Sequence, residues 1–187
     1  MTPLVIIPAR QFSQGTPGKN RVTVHVPKGY DVLVATDDPM LASGTAYPVY
    51  RRPLGDDGPV GELVARILAS ALFTQGVIVV AAPSSATEHR AKYIKAAVHE
   101  LTHNPEATSV VSVVPWVGEP PQKACTRTPD GYLSIPDAPS RRQDCSPAYR
   151  RDGTVYAVRA EYARQGDLYG PRPVPLLVTP SDSVTVD

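Results

Sequence analysis

Arg10, Ser13, Gly15, Gly18, Lys19 and Asn20 follow directly on an apolar run, Leu4 to Ile7. Two permanent cations, a hydroxyl and two glycines that let backbone N–H groups approach closely are the parts of an oxyanion cradle. In a loop at the carboxyl end of a strand, where α/β sheets hold their ligands, they point to a polyphosphate. The segment is not a P-loop, because G-x-x-x-x-G-K-[ST] would need a glycine at Ser13 and a hydroxyl at Asn20; it is not a dinucleotide fingerprint either. An ordinary solvated basic loop is the other reading of the same residues.

Two more groups carry potential chemistry. His99-Glu100-Leu101-Thr102-His103 matches H-E-x-x-H, which on a helix sets two imidazoles one turn apart beside a carboxylate that can act as a base in zinc hydrolysis. No further histidine follows, so a third ligand would have to come from Glu106, Glu119, Glu161 or an aspartate, and Asn104-Pro105 ends the helix at once. Leu101 shares an apolar stripe with Ile94 and Val98, which reads as core. The second group is Arg141-Arg142-Gln143-Asp144, followed by Pro147, Tyr149, Arg150, Arg151, Asp152, Gly153 and Tyr156. At least two of Arg141, Arg150 and Arg151 read as solvated surface, and so do His25 and His89 unless they are satisfied structural residues.

The elements that must position these residues are legible as short apolar runs rich in β-branched side chains: Leu4 to Ile7, Val32 to Ala35, Val77 to Val80, Val110 to Val114, Val155 to Val158 and Leu176 to Val178. They read as buried strands. Between them Val60, Leu63, Val64, Ile67 and Leu68 follow helical spacing, as do Ile94, Ala97, Val98 and Leu101. Ser85-x-x-Glu88 fits a capping box ahead of the second helix, and Asn104-Pro105 stops it. Strands alternating with helices predict an α/β layer fold with a mainly parallel sheet.

The chain has 187 residues, 19 Lys+Arg against 18 Asp+Glu, and 21 Pro, against an average share of about 5%. That length buries a core without staples and predicts one domain, residues 1–187. A net charge of +1 supplies no long-range field for nucleic acid or an anionic membrane, so neither is expected as a partner. The N-terminal apolar run is too short for a signal peptide or a span of about 20 residues, which predicts a cytoplasmic protein in which Cys125 and Cys145 are free thiols. Residues 115–149 carry Pro120, Pro121, Pro129, Pro136, Pro139 and Pro147 with little periodicity, and read as an insertion in the domain.

Taken in order, these segments resemble the acylneuraminate cytidylyltransferase (CMP-sialic acid synthetase) family. Its first loop reads I-P-A-R-x-x-S-x-x-x-P-x-K-N and its later motif R-x-Q-D-x-x-P-x-Y-x-x-N-G. Ala35-Thr36-Asp37-Asp38 resembles its S-T-D-D strand end, Arg52-Pro53 its R-P, Ser109 to Val114 its S-V-V-S-V, Pro121-Gln122-Lys123 its P-x-K, and Asp130 to Leu133 its D-G-Y-L. The resemblance implies a three-layer, Rossmann-like nucleotidyltransferase that moves CMP from CTP to an acidic sugar or related small acid and releases pyrophosphate, with magnesium. It implies catalytic roles for Arg10 and Lys19 on the triphosphate, and nucleotide contacts from Ala9, Ser13, Asn20 and Arg52. Lys123, Arg142, Gln143 and Asp152 would meet the acid, in part across a homodimer formed through 115–149. Asp187 would hold the metal.

The chain departs from that pattern in four places. Gln11-Phe12 replaces a glycine pair, and Ala82 to Glu88 replaces Q-P-T-S-P-L-R, so its Gln and Arg are both missing. Asp152 stands for Asn before Gly153. Thr185-Val186-Asp187 replaces D-x-D, leaving one carboxylate. A nucleotide-binding relative without catalysis is therefore the second reading, and a zinc metallohydrolase through His99 to His103 the third.

Overall fold

The computed structural model describes residues 2–11, 26–71, 73–81, 87–139 and 141–179, without the side chains of 87–89. Ser13, Lys19, Asn20 and Asp187, and Ser85 of the capping box, lie outside these described residues. The elements in chain order are β1 (Leu4–Ala9), β2 (Asp31–Thr36), α1 (Pro39–Gly44), β3 (Val49–Arg51), α2 (Val60–Ser70), β4 (Val77–Val80), α3 (Thr87–His103), β5 (Ser109–Pro115), β6 (Thr126–Arg127), β7 (Leu133–Ser134), β8 (Tyr149–Arg159), α4 (Ala160–Ala163) and β9 (Pro173–Leu177).

Seven strands form one sheet in the order β3-β2-β1-β4-β8-β5-β9. All pair in parallel except β8, which runs antiparallel to both β4 and β5. Strands buried on both faces need apolar side chains, and β1 has them throughout while β5 has them apart from Ser109 and Ser112, whose hydroxyls are hydrogen-bonded. Val5 and Ile7 face one side with Tyr93, Ile94, Ala97 and Leu101 of α3; Leu4 and Ile6 face the other with Leu63, Val64, Ile67 and Leu68 of α2. Helices thus cover both faces, giving three layers. Arg159 holds the end of α3, donating to the carbonyls of Leu101, Asn104, Pro105 and Ala107. A cation there also meets the negative end of the helix dipole.

The sequence pattern missed β3, α1 and α4, and placed the last strands too narrowly. β3 has only three residues and α4 only four, below the length at which periodicity registers. α1 depends on a cap: the Asp38 carboxylate accepts from Met40 N at 2.9 Å, with Pro39 at the first helical position. β9 starts at Pro173 and carries Pro175, which an edge strand tolerates because one side of its backbone has no neighbour to bond.

α2 approaches the turn after α4 so closely that a Cβ on Gly61 would lie 2.0 Å from the Gly166 carbonyl oxygen, a backbone atom that cannot swing away. Gly61→Ala should therefore cost about 2–3 kcal/mol. It should lower Tm by about 4–10 °C in calorimetry. An unchanged Tm would mean that α2 does not pack on this turn.

Residues 115–149 leave the sheet at the end of β5 and return at β8. They contain the β6–β7 hairpin and two short 3-10 turns, Pro121–Lys123 and Arg142–Asp144. Trp116 N donates to the Ala148 carbonyl and closes the base. Val117, Tyr132, Leu133 and Ile135 are exposed apolar side chains of this segment, and Cys125 and Cys145 are free thiols.

Candidate active site at the carboxyl ends of the strands

The strand order reverses between β1 and β4: β2 and β3 lie to one side of β1, and β4, β8 and β5 to the other. Such a switch point opens a crevice beyond the strands' carboxyl ends. Here Pro8 of β1 and Val80 of β4 form the floor of a cavity of about 710 Å³. Its walls are the start of α2 (Pro59 to Glu62), Gly153 and Tyr156 of β8, and the turn from Gln165 to Tyr169.

Arg10 follows Ala9, which is buried at the end of β1, and so leaves the same strand end whose Pro8 lines the cavity. Asp37, the first residue after β2, sets the backbone there. Its carboxylate accepts from Gln11 N at 2.7 Å and from Gly55 N at 3.2 Å, tying the segment after β1 to the one after β3. Arg52, just beyond β3, is 7% exposed and pairs with Asp56 at 3.4 Å; Arg66 of α2 bonds the same carboxylate.

Burial works against ionisation of Asp56, but the Gly58 N–H and the Arg52 and Arg66 charges hold its carboxyl below the ordinary value of 3.8. A depressed carboxyl stabilises the fold above its ordinary pKa, and that stability is lost as pH falls through the lowered value. The loss of urea stability between pH 7 and pH 3 should accordingly be smaller in Asp56→Asn than in the natural chain. Equal losses would show that Asp56 is not anchored in this way.

The cavity wall on β8 is a bulge. Val111 pairs with Tyr156 and Val113 with Arg151, so Asp152 to Val155 stand opposite the one residue Ser112. Ser112 Oγ accepts from Val155 N at 2.9 Å. The Asp152 carboxylate accepts from Thr154 N at 3.1 Å and from the Thr154 hydroxyl. Gly153, between them, has φ 77°, a conformation that costs glycine little. Bulges of this kind re-aim the chain beside functional sites. Arg90, in the first part of α3, is 1% exposed, and Asp152 is 2% exposed. Burial pulls the Arg90 guanidinium down to about 10 while the Asp152 charge opposes that shift, so Arg90 stays protonated at neutral pH.

The structure thus gathers Ala9, Arg10, Arg52 and Asp152 at one end of the sheet, but Asp152 supports the cavity wall from inside instead of opening onto it. Lys123, Arg142 and Gln143 do not line this cavity. Arg142 and Gln143 are exposed in the insertion, where Arg142 borders a small hollow of about 150 Å³ with Trp116 and Cys145. Sequence reasoning missed Arg90, which stands two positions beyond the missing motif arginine, and the roles of Asp37, Tyr156 and Tyr169. It also left Arg151 in a group of three arginines of which at least two read as solvated surface. Arg151 lies 5.4 Å from the Tyr169 ring and donates to the Tyr169 hydroxyl.

No cluster of metal-ligating side chains stands out among the described residues. Asp37, Asp38 and Asp152 are taken up by backbone and hydroxyl donors. The zinc reading gains no support from the geometry. The His99 and His103 rings stack with centroids 4.0 Å apart, His103 Nδ1 contacts the His99 carbonyl at 2.8 Å, and Glu100 accepts from Asn104. No described helix is long and apolar enough to cross a membrane.

No protein-family model matches the chain, and no curated protein matches it. Solved structures do. The CMP:2-keto-3-deoxy-manno-octonic acid synthetase complexed with CTP is 14% identical with a TM-score of 0.63, over 96% of this chain and 91% of that one. The 4-diphosphocytidyl-2C-methyl-D-erythritol synthase from Anaerococcus prevotii DSM 20548 is 8% identical with a TM-score of 0.54, over 98% and 90%. The bifunctional IspDF from Campylobacter jejuni is 9% identical with a TM-score of 0.60, over 96% of this chain and 50% of that one. The fold is the three-layer, Rossmann-like fold of these proteins.

Proposed function

We propose that the chain is a cytidylyltransferase that moves CMP from CTP to a small acidic acceptor, an acidic sugar or a related acid. The observation that carries this reading is the cavity at the β1/β4 switch point, beside the strand end that Arg10 leaves and that Asp37 pins through Gln11 N. The structural neighbours support it: one of them synthesises a CMP-linked keto acid and holds CTP, and another makes a cytidyl diphosphate product.

An oxygen of the acceptor attacks the α-phosphorus of CTP. A new P–O bond forms, the bond from the α-phosphorus to the α–β bridging oxygen breaks, and pyrophosphate leaves with that electron pair; a hydroxyl nucleophile gives its proton to solvent. Charge builds on the departing phosphates, so positioning and fixed cations supply most of the catalysis. Arg10 and Lys19 are those cations, with Ala9, Ser13, Asn20 and Arg52 around the nucleotide. Magnesium enters as the ion the triphosphate brings with it, and no step is assigned to it.

The same reading has the protein cytoplasmic and one domain, and gives residues 115–149 to a homodimer, whose second copy would cover Tyr132, Leu133 and Ile135 and bring Lys123 and Arg142 toward the partner's cavity. Ile135→Glu should then shift the sedimentation coefficient from dimer to monomer; a wild-type monomer would exclude that assembly. The nucleotide itself is tested by thermal shift in magnesium. CTP should raise Tm more than ATP, GTP or UTP do, and an equal or absent response to CTP would overturn the proposal. Binding without pyrophosphate release would favour the non-catalytic reading.

A further inference from the structure

The geometry points to an acceptor whose body is apolar or sparsely hydroxylated, with its anionic group met at the cavity mouth by Arg151; this inference rests on the cytidylyltransferase reading. The floor and sides of the cavity are Pro8, Val80, Pro59, Val60 and Leu168, with no hydrogen-bonding side chain among them. Most of the polar side chains on the remaining wall are already engaged. The Asp167 carboxylate accepts from Tyr169 N at 2.8 Å and Gly170 N at 2.9 Å. Gln165 donates to the Glu161 carbonyl at 3.1 Å, and the Tyr169 hydroxyl accepts from Arg151.

Among the described side chains that line the cavity, Glu62 and the Tyr156 hydroxyl are the two polar ones that make no hydrogen bond to a described residue. Burial first, then the neighbouring Tyr169 and Asp152, push the Tyr156 hydroxyl up against the opposing pull of Arg151, so it stays a neutral donor. A polyhydroxylated acid brings many donors and acceptors into this space, and each one left unmatched costs its desolvation. An acid with one or two hydroxyls needs only the partners present. Glu62, on the α2 wall, repels an anion, and Asp167, held ionised by its two N–H donors, does the same. Arg151 gives one donor to the Tyr169 hydroxyl, and its guanidinium has further N–H groups with which to meet a carboxylate or phosphonate. Selectivity therefore comes from an apolar wall that disfavours polyols together with Arg151, a cation that favours acids.

The test sets short monohydroxy carboxylic and phosphonic acids against long polyhydroxylated keto acids, with CTP and magnesium, and reads the mass of the CMP conjugate. The short acids should have kcat/KM at least about tenfold higher. Arg151→Ala should raise the KM for the acid about tenfold and leave the KM for CTP unchanged, which a merely structural arginine would not do. Equal or better use of the polyhydroxylated acids would overturn this inference and leave cytidylyl transfer standing. No conjugate with any acid would overturn both.

Discussion

Arg90→Leu is expected to be the most damaging single change to the fold, lowering stability by about 3–5 kcal/mol, because it leaves a buried carboxylate without its countercharge. Asp152 is 2% exposed, and its charge acts on the likewise buried Arg90 guanidinium. The variant's urea midpoint should fall accordingly. Arg90→Leu with Asp152→Asn should recover much of the loss, since the amide oxygen can still accept from Thr154 and carries no charge to strand. If the double variant is no better than the single one, the pair is not coupled. The activity of any folded Arg90→Leu protein should drop as well, because the bulge holding Gly153 in the cavity wall loses its support.

Arg10→Ala should reduce kcat/KM for CTP by about 10²–10³ and leave Tm within about 1 °C, the pattern of a fixed cation lost from a charge-developing site. Arg10 is half-buried, next to a backbone that Asp37 fixes. A guanidinium so placed loses little entropy when a triphosphate arrives. Lys19→Ala should act in the same direction. A normal rate in Arg10→Ala would remove the residue from the reaction; a large fall in Tm would show that it serves the fold.

Much of this architecture could be read from the chain because it depends on patterns that physics makes periodic. Val77–Val80 is the strand the apolar run implied, and α2 covers Val60 to Leu68. The helix stop at Asn104-Pro105 holds because Pro105 has no N–H to donate to the carbonyl four residues back and disfavours helical backbone at Asn104. The parts that escaped depend on distant partners. Nothing local in Arg90 says that it is buried; that follows from Asp152, brought against it by a strand and a bulge. Asp37 looked like one letter of a strand-end motif, yet its work is to hold two loops that come from other strands. Arg151 looked solvated and is exposed, but Tyr169, some eighteen positions away, gives it a seat beside the cavity. The departures also read differently in three dimensions. Arg90 stands two positions after Glu88, where the motif has its arginine, and the charge of Asp152, which stands where the motif has Asn, acts on it.

The central claim is transfer of CMP itself, and the direct measurement is the product formed from CTP labelled at the α-phosphate, in magnesium, with an acid acceptor present. The account predicts label in a CMP–acid conjugate and one pyrophosphate released for each conjugate formed, with neither product when the acceptor is left out. Label that stays in CTP with every acid offered, or that appears only as free CMP, would contradict it.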